Sequence, residues 1–298
     1  MLGYHVIHKK PGDFGYLERI NKESKTMNQR DYDELGEVLT MYVQDQMVSK
    51  YGLIKVNMPH EGGPDRNIFM SQDFLEQVSK KQEPIKSQMM LQQKRVEQQA
   101  PEERRNALIL IQGSGKVRPG LWSRSACINH SFELGSMLPL IDRAQKKNVS
   151  VIVLNPNFTN QEQRELRVSA KGSYDHSLYV WEKFIAPSKF NKFYIVAHSA
   201  GGGSLARIQE YYPEDFYIRV ASVALTDSWT IDKHILRDQG TEKWMQDQRK
   251  FVHYVASNKP LGTDVGFGVC IEKSAGHNQH EYTTGTALPE IIRQFGWV

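Results

Sequence analysis

One short stretch constrains the fold of this chain more than any other. In it, a strand pattern of apolar residues ends just before Ser199, and a helical pattern begins just after it. Residues 193–196 are aromatic or β-branched, which is typical of a buried strand. Small residues surround Ser199, and apolar residues then recur at helical spacing until Pro213. Ala197 stands where such turns usually carry their first glycine. The pattern predicts a nucleophile elbow, a strained turn in which larger neighbours of the serine would collide with the strand or the helix.

The region around this turn alternates between strand and helix patterns. Strand patterns occupy residues 108–111, 149–154, 220–225 and 267–271. Helical spacing of apolar residues lies between or after them, at 137–144, 178–185, 244–251 and 288–295. This alternation predicts an α/β fold, a three-layer sandwich with a mostly parallel central sheet. Together with the elbow it favours the α/β-hydrolase type.

The first hundred residues follow a different pattern. We expect two short strands within residues 4–20 and further strands at 53–58 and 68–70. Between them we expect a helix whose first turn holds the acids of 31–34, whose apolar residues run from Leu35 to Met47, and which ends near Gly52. Residues 71–100 are rich in Gln, Lys and Glu, which favours one or two solvated helices. From composition alone, this polar segment is either a boundary between two modules or an insertion in one domain.

Composition narrows the classes of function. Apolar residues make up 39% of the chain, enough to fill a core, and the net charge of +4 is too small to indicate nucleic-acid binding by itself. The two cysteines form no C-x-x-C pair, and no cluster of ligand residues indicates a metal or another cofactor. With no signal-peptide pattern and no membrane-spanning run, we expect an intracellular protein, cytoplasmic or nuclear, without a membrane partner.

Several residues of the alternating region could together carry out acyl transfer. Ser199 needs a histidine to take its proton and an acid to orient that histidine. Asp227 follows the next strand, and His277 and His280 lie in the loop after the last one, so the order along the chain is serine, acid, histidine. Taken singly, each has an ordinary explanation as a small turn residue, a strand-end acid or a solvated loop histidine.

The glycine loop after the first strand of this region is the expected oxyanion hole. The backbone amides of Gly113, Ser114 and Ala200 are its candidate donors. Gln112, His198 and Trp122 are the residues expected to wall the pocket. The loop lacks the Lys-Ser/Thr pair of a nucleotide-binding loop.

A weaker interpretation is direct RNA binding by the stretch beside this loop. The cationic and aromatic residues involved are Lys116, Arg118, Trp122 and Arg124. Residues that wall a pocket or anchor a loop would give the same pattern, and the small net charge favours that explanation.

Longer blocks of the chain resemble the Arb2 (Argonaute-binding-protein-two) family, in particular its animal co-transcriptional regulators. The blocks are 14–16, 28–37, 68–71, 110–124, 151–157, 179–185, 196–202, 223–228 and 274–283. The resemblance covers nearly the whole chain. It implies one domain at 1–298, with residues 1–100 integral to a hydrolase-like core at 101–298. It also implies that Ser199, Asp227 and His280 are the triad-like residues, because His280 precedes the matching Glu-Tyr-Thr.

The resemblance also bears on function. Members of the family are linked to Argonaute and small-RNA silencing complexes, to chromatin and splicing regulation, and to histone deacetylases that carry the domain as a module. This implies protein partners in a larger assembly, with nucleic acid reached only indirectly. Gln112 and Ala200 replace a histidine and a tyrosine common in relatives, and residues 157–174 replace a long charged insertion. We therefore expect a non-catalytic or weakly catalytic scaffold or adaptor subunit, and the alternative is a serine hydrolase of the esterase type.

Overall fold

The structure is a computed structural model of the chain. It describes residues 4–10, 13–19, 28–60, 63–79, 106–157, 176–228, 239–267 and 269–298. Most of the predicted polar helices at 71–100 and nearly all of the loop at 157–174 lie outside these ranges.

The centre of the fold is a nine-stranded sheet, accompanied by a separate two-stranded one. The strands are β1 (Tyr4–Ile7), β2 (Tyr16–Arg19), β3 (Ile54–His60), β4 (Gly63–Met70), β5 (Asn106–Ile111), β6 (Ser150–Val153), β7 (Lys192–His198), β8 (Val220–Thr226), β9 (Phe251–Val255), β10 (Asp264–Phe267) and β11 (Ile271–Ser274). The large sheet has the order β10-β11-β9-β8-β7-β5-β6-β4-β3. From β11 to β6 all neighbours are parallel, whereas β10, β4 and β3 join antiparallel at the two edges.

Helices cover both faces of this sheet. They are α1 (Gln29–Ser49), α2 (Gln72–Ser79), α3 (Arg124–Asn129), α4 (Phe132–Gly135), α5 (Leu138–Lys146), α6 (Gly201–Tyr211), α7 (Pro213–Arg219), α8 (Gln239–Met245) and α9 (Thr283–Gln294), with a π-helical turn at Trp181–Ile185 and a 3₁₀ turn at His280–Tyr282. One hydrophobic cluster joins α1, α5 and α9 to the sheet. A second cluster packs α2, the π-helical turn, α6, α7 and α8 against the opposite face of the sheet. The predicted three-layer α/β-hydrolase-like sandwich is thus confirmed.

The apolar runs of the central strands follow from this double cover. Every residue of β6 is buried; Val151 and Val153 face one cluster, and Ile152 faces the other. A strand between two helical layers has no solvated face, so it does not alternate between apolar and polar residues.

Helix α1 forms where the apolar spacing predicts a helix, although Val38 of that pattern is exposed. Asn28 caps it by accepting a hydrogen bond from the Asp31 amide at 2.9 Å. Its buried apolar residues recur every four positions, at Leu35, Leu39, Val43 and Met47.

Two sequence-based assignments near the C-terminus were wrong. The apolar pattern at 244–251 predicts one helix, but α8 ends at Met245 and Phe251 begins the buried strand β9. One strand was predicted at 267–271, but Phe267 ends β10 and Ile271 begins β11, and these two strands pair antiparallel. The first error arises because widely spaced large apolar residues fit either period when the segment is short.

Two findings limit the classes of site in the described residues. No helix there is long and apolar enough to cross a membrane. In the same ranges, no group of three or more His, Cys, Asp or Glu side chains is placed to hold a metal ion.

Candidate active site

The serine predicted at the elbow lies in a strained turn between β7 and α6. Ser199 has a φ of 53°, a left-handed conformation that costs free energy in a residue with a side chain. Its amide donates to the carbonyl of Thr226 at 3.0 Å. A Cβ on Gly201 would lie 2.6 Å from the Ile111 carbonyl oxygen, so only glycine allows α6 to approach the end of β5 this closely.

The acid occupies a second strained turn, directly beside the first. In the parallel register of β7 and β8, His198 is opposite Thr226, which places Ser199 and Asp227 next to each other at one edge of the sheet. Asp227 has a φ of 40°. Its amide donates to the Tyr254 carbonyl at 2.7 Å, and its Oδ1 accepts from the Ala256 amide at 2.9 Å.

The histidine predicted to complete the set contacts this acid. Nδ1 of His280 donates to Oδ2 of Asp227 over 2.6 Å. The hydrogen bond to His280 lowers the pKa of Asp227, and the same bond raises the pKa of His280 above its ordinary value of 6.5. With Nδ1 engaged, Nε2 of a neutral His280 is the nitrogen left to accept a proton.

The serine and the histidine are near each other without being bonded. Within the described part of the chain, Ser199 Oγ makes no hydrogen bond to His280. The ring of His280 lies against that of His198, the residue before the serine, with centroids 4.6 Å apart. Substrate-free enzymes often have long catalytic hydrogen bonds that shorten on binding.

His277, the other candidate histidine, lies elsewhere in the loop. Its Nδ1 accepts from the Gln279 amide at 3.1 Å, and its ring packs on Tyr282 with a centroid distance of 4.6 Å. The structure therefore brings together Ser199, Asp227 and His280, and leaves His277 at the rim.

The glycine loop predicted as the oxyanion hole lies against the serine. A Cβ on Gly113 would be 2.7 Å from Ser199 Cβ and 3.2 Å from its Oγ, so a side chain here would fill the space in front of the nucleophile. Asn157 Nδ2 donates to the carbonyl oxygens of Gly113 at 2.5 Å and Val117 at 3.1 Å, which fixes the loop. Ser114 is exposed, and Ala200 precedes the first turn of α6.

The three residues predicted to wall the pocket are all buried. Nδ1 of His198 donates to the Thr226 carbonyl at 3.0 Å, and burial lowers the pKa of His198 to about 4, so this ring is neutral near pH 7. The edge of Trp122 faces His198 at a centroid distance of 6.4 Å. Gln112 Nε2 lies 3.4 Å from Asn155 Oδ1, and Gln112 Oε1 is buried with no hydrogen-bond partner in the described residues.

The basic stretch considered for RNA binding is used within the fold. Lys116 pairs with Asp33 at 2.8 Å. Arg124 is buried and donates to the Asp33 carbonyl at 2.8 Å, while Arg118 donates to the Val117 carbonyl at 2.9 Å. These contacts favour the loop-anchoring explanation over a nucleic-acid surface.

Three residues at the site were not identified from the sequence. Ser228 Oγ donates to the Ser199 carbonyl at 2.6 Å, and the Ser228 amide donates to His253 Nε2 at 2.9 Å. Asn157 holds the glycine loop, as described above. Ser228 follows Asp227 directly and Asn157 follows shortly after the end of β6, so the sequence could place both near the sheet edge. His253 could not be placed, because residues 252–255 were not assigned to a strand.

Comparisons with known proteins agree with this architecture. Two solved structures share the fold with a TM-score of 0.54. One, a histone deacetylase from Saccharomyces cerevisiae, is 9% identical and aligns over 91% of this chain and 98% of its own. The other, the histone deacetylase Clr3, is 10% identical and aligns over 93% of this chain and 40% of its own. At such low identity the likeness concerns the fold alone.

Similarity in sequence is more specific. A co-transcriptional regulator ARB2A homolog of Dictyostelium discoideum is 31% identical over 94% of this chain and 76% of its own length. The co-transcriptional regulator ARB2A of Mus musculus is 28% identical over 98% of this chain and 76% of its own length. The model of the Arb2 domain matches residues 98–261. The chain therefore belongs to the Arb2 domain family.

Proposed function

We propose that this Arb2 domain is a serine hydrolase of the esterase type, the alternative to the adaptor expected from sequence. The observation that carries the proposal is the 2.6 Å hydrogen bond from His280 to Asp227 beside a serine held at a φ of 53°. The left-handed backbone of Ser199 and Asp227 costs free energy, and such strain is concentrated at active sites. Triads are identified by such geometry and not by sequence position.

The reaction follows from the position of each group. Ser199 Oγ attacks the acyl carbon of an ester, and its proton passes to Nε2 of His280 while Asp227 holds Nδ1. The carbonyl oxygen becomes an oxyanion that accepts hydrogen bonds from the amides of Gly113 and Ala200. Collapse breaks the bond to the alcohol, which takes the proton from His280, and a water molecule then releases the acid by the same steps.

Labelling with a fluorophosphonate tests this proposal, because the reagent phosphonylates an activated serine. We expect the folded protein to be labelled at Ser199, and Ser199→Ala to abolish the labelling. Ser204→Ala is the matched control: this serine is buried in α6 and is not one of the triad-like residues, so its loss should leave labelling intact. A folded wild-type protein that stays unlabelled at high reagent concentration would rule out an active hydrolase.

An adaptor role is the second candidate, favoured by the outer face of α1 and by the similarity of the chain to co-transcriptional regulators. Val38, Met41 and Val48 are 54%, 70% and 44% exposed on one side of this helix. Carboxylates are exposed around them at Glu34, Glu37 and Asp45. An apolar stripe with acidic borders suits a basic amphipathic segment of a partner protein. The setting would be intracellular, and a nuclear one would fit the co-transcriptional role of the relatives.

A matched pair of variants tests the adaptor role. Met41→Glu should abolish the recovery of partners bound through α1, and Ile218→Glu, at an 81% exposed position of α7, should leave recovery unchanged. Binding should also weaken as salt rises, since the carboxylates attract basic residues. Equal recovery with both variants would remove α1 as the docking face.

We also propose that residues 1–100 are an integral part of a single domain. In support, β3 and β4 belong to the large sheet, and the buried guanidinium of Arg124 lies where a Cβ on Gly36 would be, 1.6 Å from Nη2. Gly36→Ala should therefore displace Arg124 and destabilise the whole chain by roughly 2 kcal/mol, in one cooperative transition. Two separate unfolding transitions, with only the first shifted, would show independent modules.

A further inference from the structure

The carbonyl of the strained serine is held by a short chain of contacts that ends in a second histidine. Ser228 Oγ donates to the Ser199 carbonyl at 2.6 Å, so Ser228 bridges the turn after β8 and the turn after β7. The Ser228 amide in turn donates to Nε2 of His253 at 2.9 Å. Each of the two strained turns is thereby tied to the other.

The geometry fixes the tautomer of His253. A backbone amide can only donate, so Nε2 is the unprotonated nitrogen and the proton of the neutral ring lies on Nδ1. Nδ1 lies 3.4 Å from Oε1 of Glu272, on the neighbouring strand β11, and its hydrogen bond lowers the pKa of Glu272. The carboxylate therefore selects the tautomer whose other nitrogen accepts from Ser228.

The location of this pair is unusual for a purely structural role. His253 is 7% exposed in the middle of β9, whose neighbours Val252 and Tyr254 are ordinary core residues. An aliphatic side chain would fill a buried strand position with less desolvation cost than an imidazole beside a carboxylate. What the imidazole adds is an acceptor for the amide of Ser228, one residue after Asp227.

We infer that His253 is a positioning residue for Ser199: oriented by Glu272, it holds Ser228, and Ser228 holds the strained elbow. The inference rests on the proposed hydrolase function for its kinetic consequence. In the described residues the polar partners of His253 are Ser228 and Glu272 and not Ser199 itself, so its contribution is the orientation of the nucleophile.

Two substitutions separate the hydrogen bond from the packing. Gln places an amide oxygen near the position of Nε2 and keeps the acceptor, whereas Leu has similar bulk and no acceptor. We expect His253→Leu to slow fluorophosphonate labelling of Ser199 by roughly tenfold or more, and His253→Gln to recover most of that rate. His5→Leu, at an exposed histidine of β1, is the control and should label at the wild-type rate.

The rate comparison is made on variants that are folded at 25 °C by circular dichroism. Labelling of folded His253→Leu at the wild-type rate would overturn the inference. Equal losses in the Leu and Gln variants would also overturn it, because the acceptor would then be irrelevant.

A second measurement is independent of catalysis. Nitrogen-15 NMR should find His253 as the Nδ1–H tautomer, and exchange of the Ser228 amide should be slow in the wild type and the Gln variant and fast in the Leu variant. If the wild type is not labelled but these results hold, the hydrolase proposal fails and the positioning contact stands. An Nε2–H tautomer, or a Ser228 amide that exchanges equally fast in all three proteins, would refute the contact itself.

Discussion

Two histidine–carboxylate pairs contact the turn that carries Ser199, one through His198 and the other through Ser228, and they are built differently. His280 and Asp227 are 2.6 Å apart and side-chain exposures are 44% and 26%. His253 and Glu272 are 3.4 Å apart, and His253 is only 9% exposed in its side chain. In the described residues Nε2 of His280 makes no hydrogen bond, whereas both nitrogens of His253 are engaged. The comparison teaches that a histidine beside an acid is a base only where its second nitrogen is left open to a reacting group.

The largest expected effect is on the rate of fluorophosphonate labelling when the carboxylate of either pair, Asp227 or Glu272, is replaced by an amide. Asp227→Asn should slow fluorophosphonate labelling by about 10³- to 10⁴-fold, because the wrong tautomer of His280 is then stabilised. Glu272→Gln should slow it by less than about tenfold, because His253 acts only through Ser228. Labelling kinetics of the two variants measure the contrast directly. Similar losses in both would mean that the two pairs do not differ in role.

The next effect is on the free energy of unfolding. Here the pair of His253 should matter more than the pair of His280, the reverse of their order in labelling rate. His253→Leu leaves the buried Ser228 amide without its acceptor and should cost about 1–3 kcal/mol. His280→Leu removes a half-exposed pair and should cost less than about 1 kcal/mol. Urea unfolding of both variants gives the two free energies. A larger loss for His280→Leu would show that the exposed pair is the structural one.

The pH dependence of labelling sharpens the role of His280. Its pKa is raised above 6.5, chiefly by the hydrogen bond to Asp227, and only the neutral ring can take a proton from Ser199. The rate of labelling should therefore rise with pH, and the midpoint of this rise should lie above pH 6.5. In Asp227→Asn the midpoint should move to lower pH, since the carboxylate no longer favours the imidazolium. A profile that is flat between pH 5 and pH 9 would exclude His280 as the base.

These contrasts show what the sequence could and could not predict. The elbow, the acid and the loop histidine were found because each depends on local chemistry: small residues at a tight turn, an acid at a strand end, a histidine before a helix. Their contact follows from parallel strands ending at one edge. The choice of His280 over His277 came from the family resemblance alone, and the observed contact with Asp227 agrees with it.

The second pair could not be predicted because it depends on strand pairing. Residues 251–255 contain Val, His and aromatic residues, which suit a strand, yet Phe251 was assigned to a helix with Trp244 and Met245, and residues 252–255 were left unassigned. Glu272 lies opposite His253 only when β9 and β11 pair, and the predicted strand at 267–271 stopped short of it. Without that register, His253 is an isolated histidine with no visible partner.

The smallest expected effect is the contribution of the exposed pair to stability as a function of pH. The pKa of Asp227 is lowered from 3.8, so its contribution is present above that pH and is lost as pH falls through the lowered value. The pKa of His280 is raised from 6.5, so its contribution is present below that pH and is lost as pH rises through the raised value. The pair is therefore most stabilising between these two ordinary values, by less than about 1 kcal/mol because solvent screens it. Comparing thermal unfolding of the wild type and Asp227→Asn at pH 5 and pH 9 measures this: the gap between them should narrow at pH 9, and a gap that widens would contradict the assigned ionisation of His280.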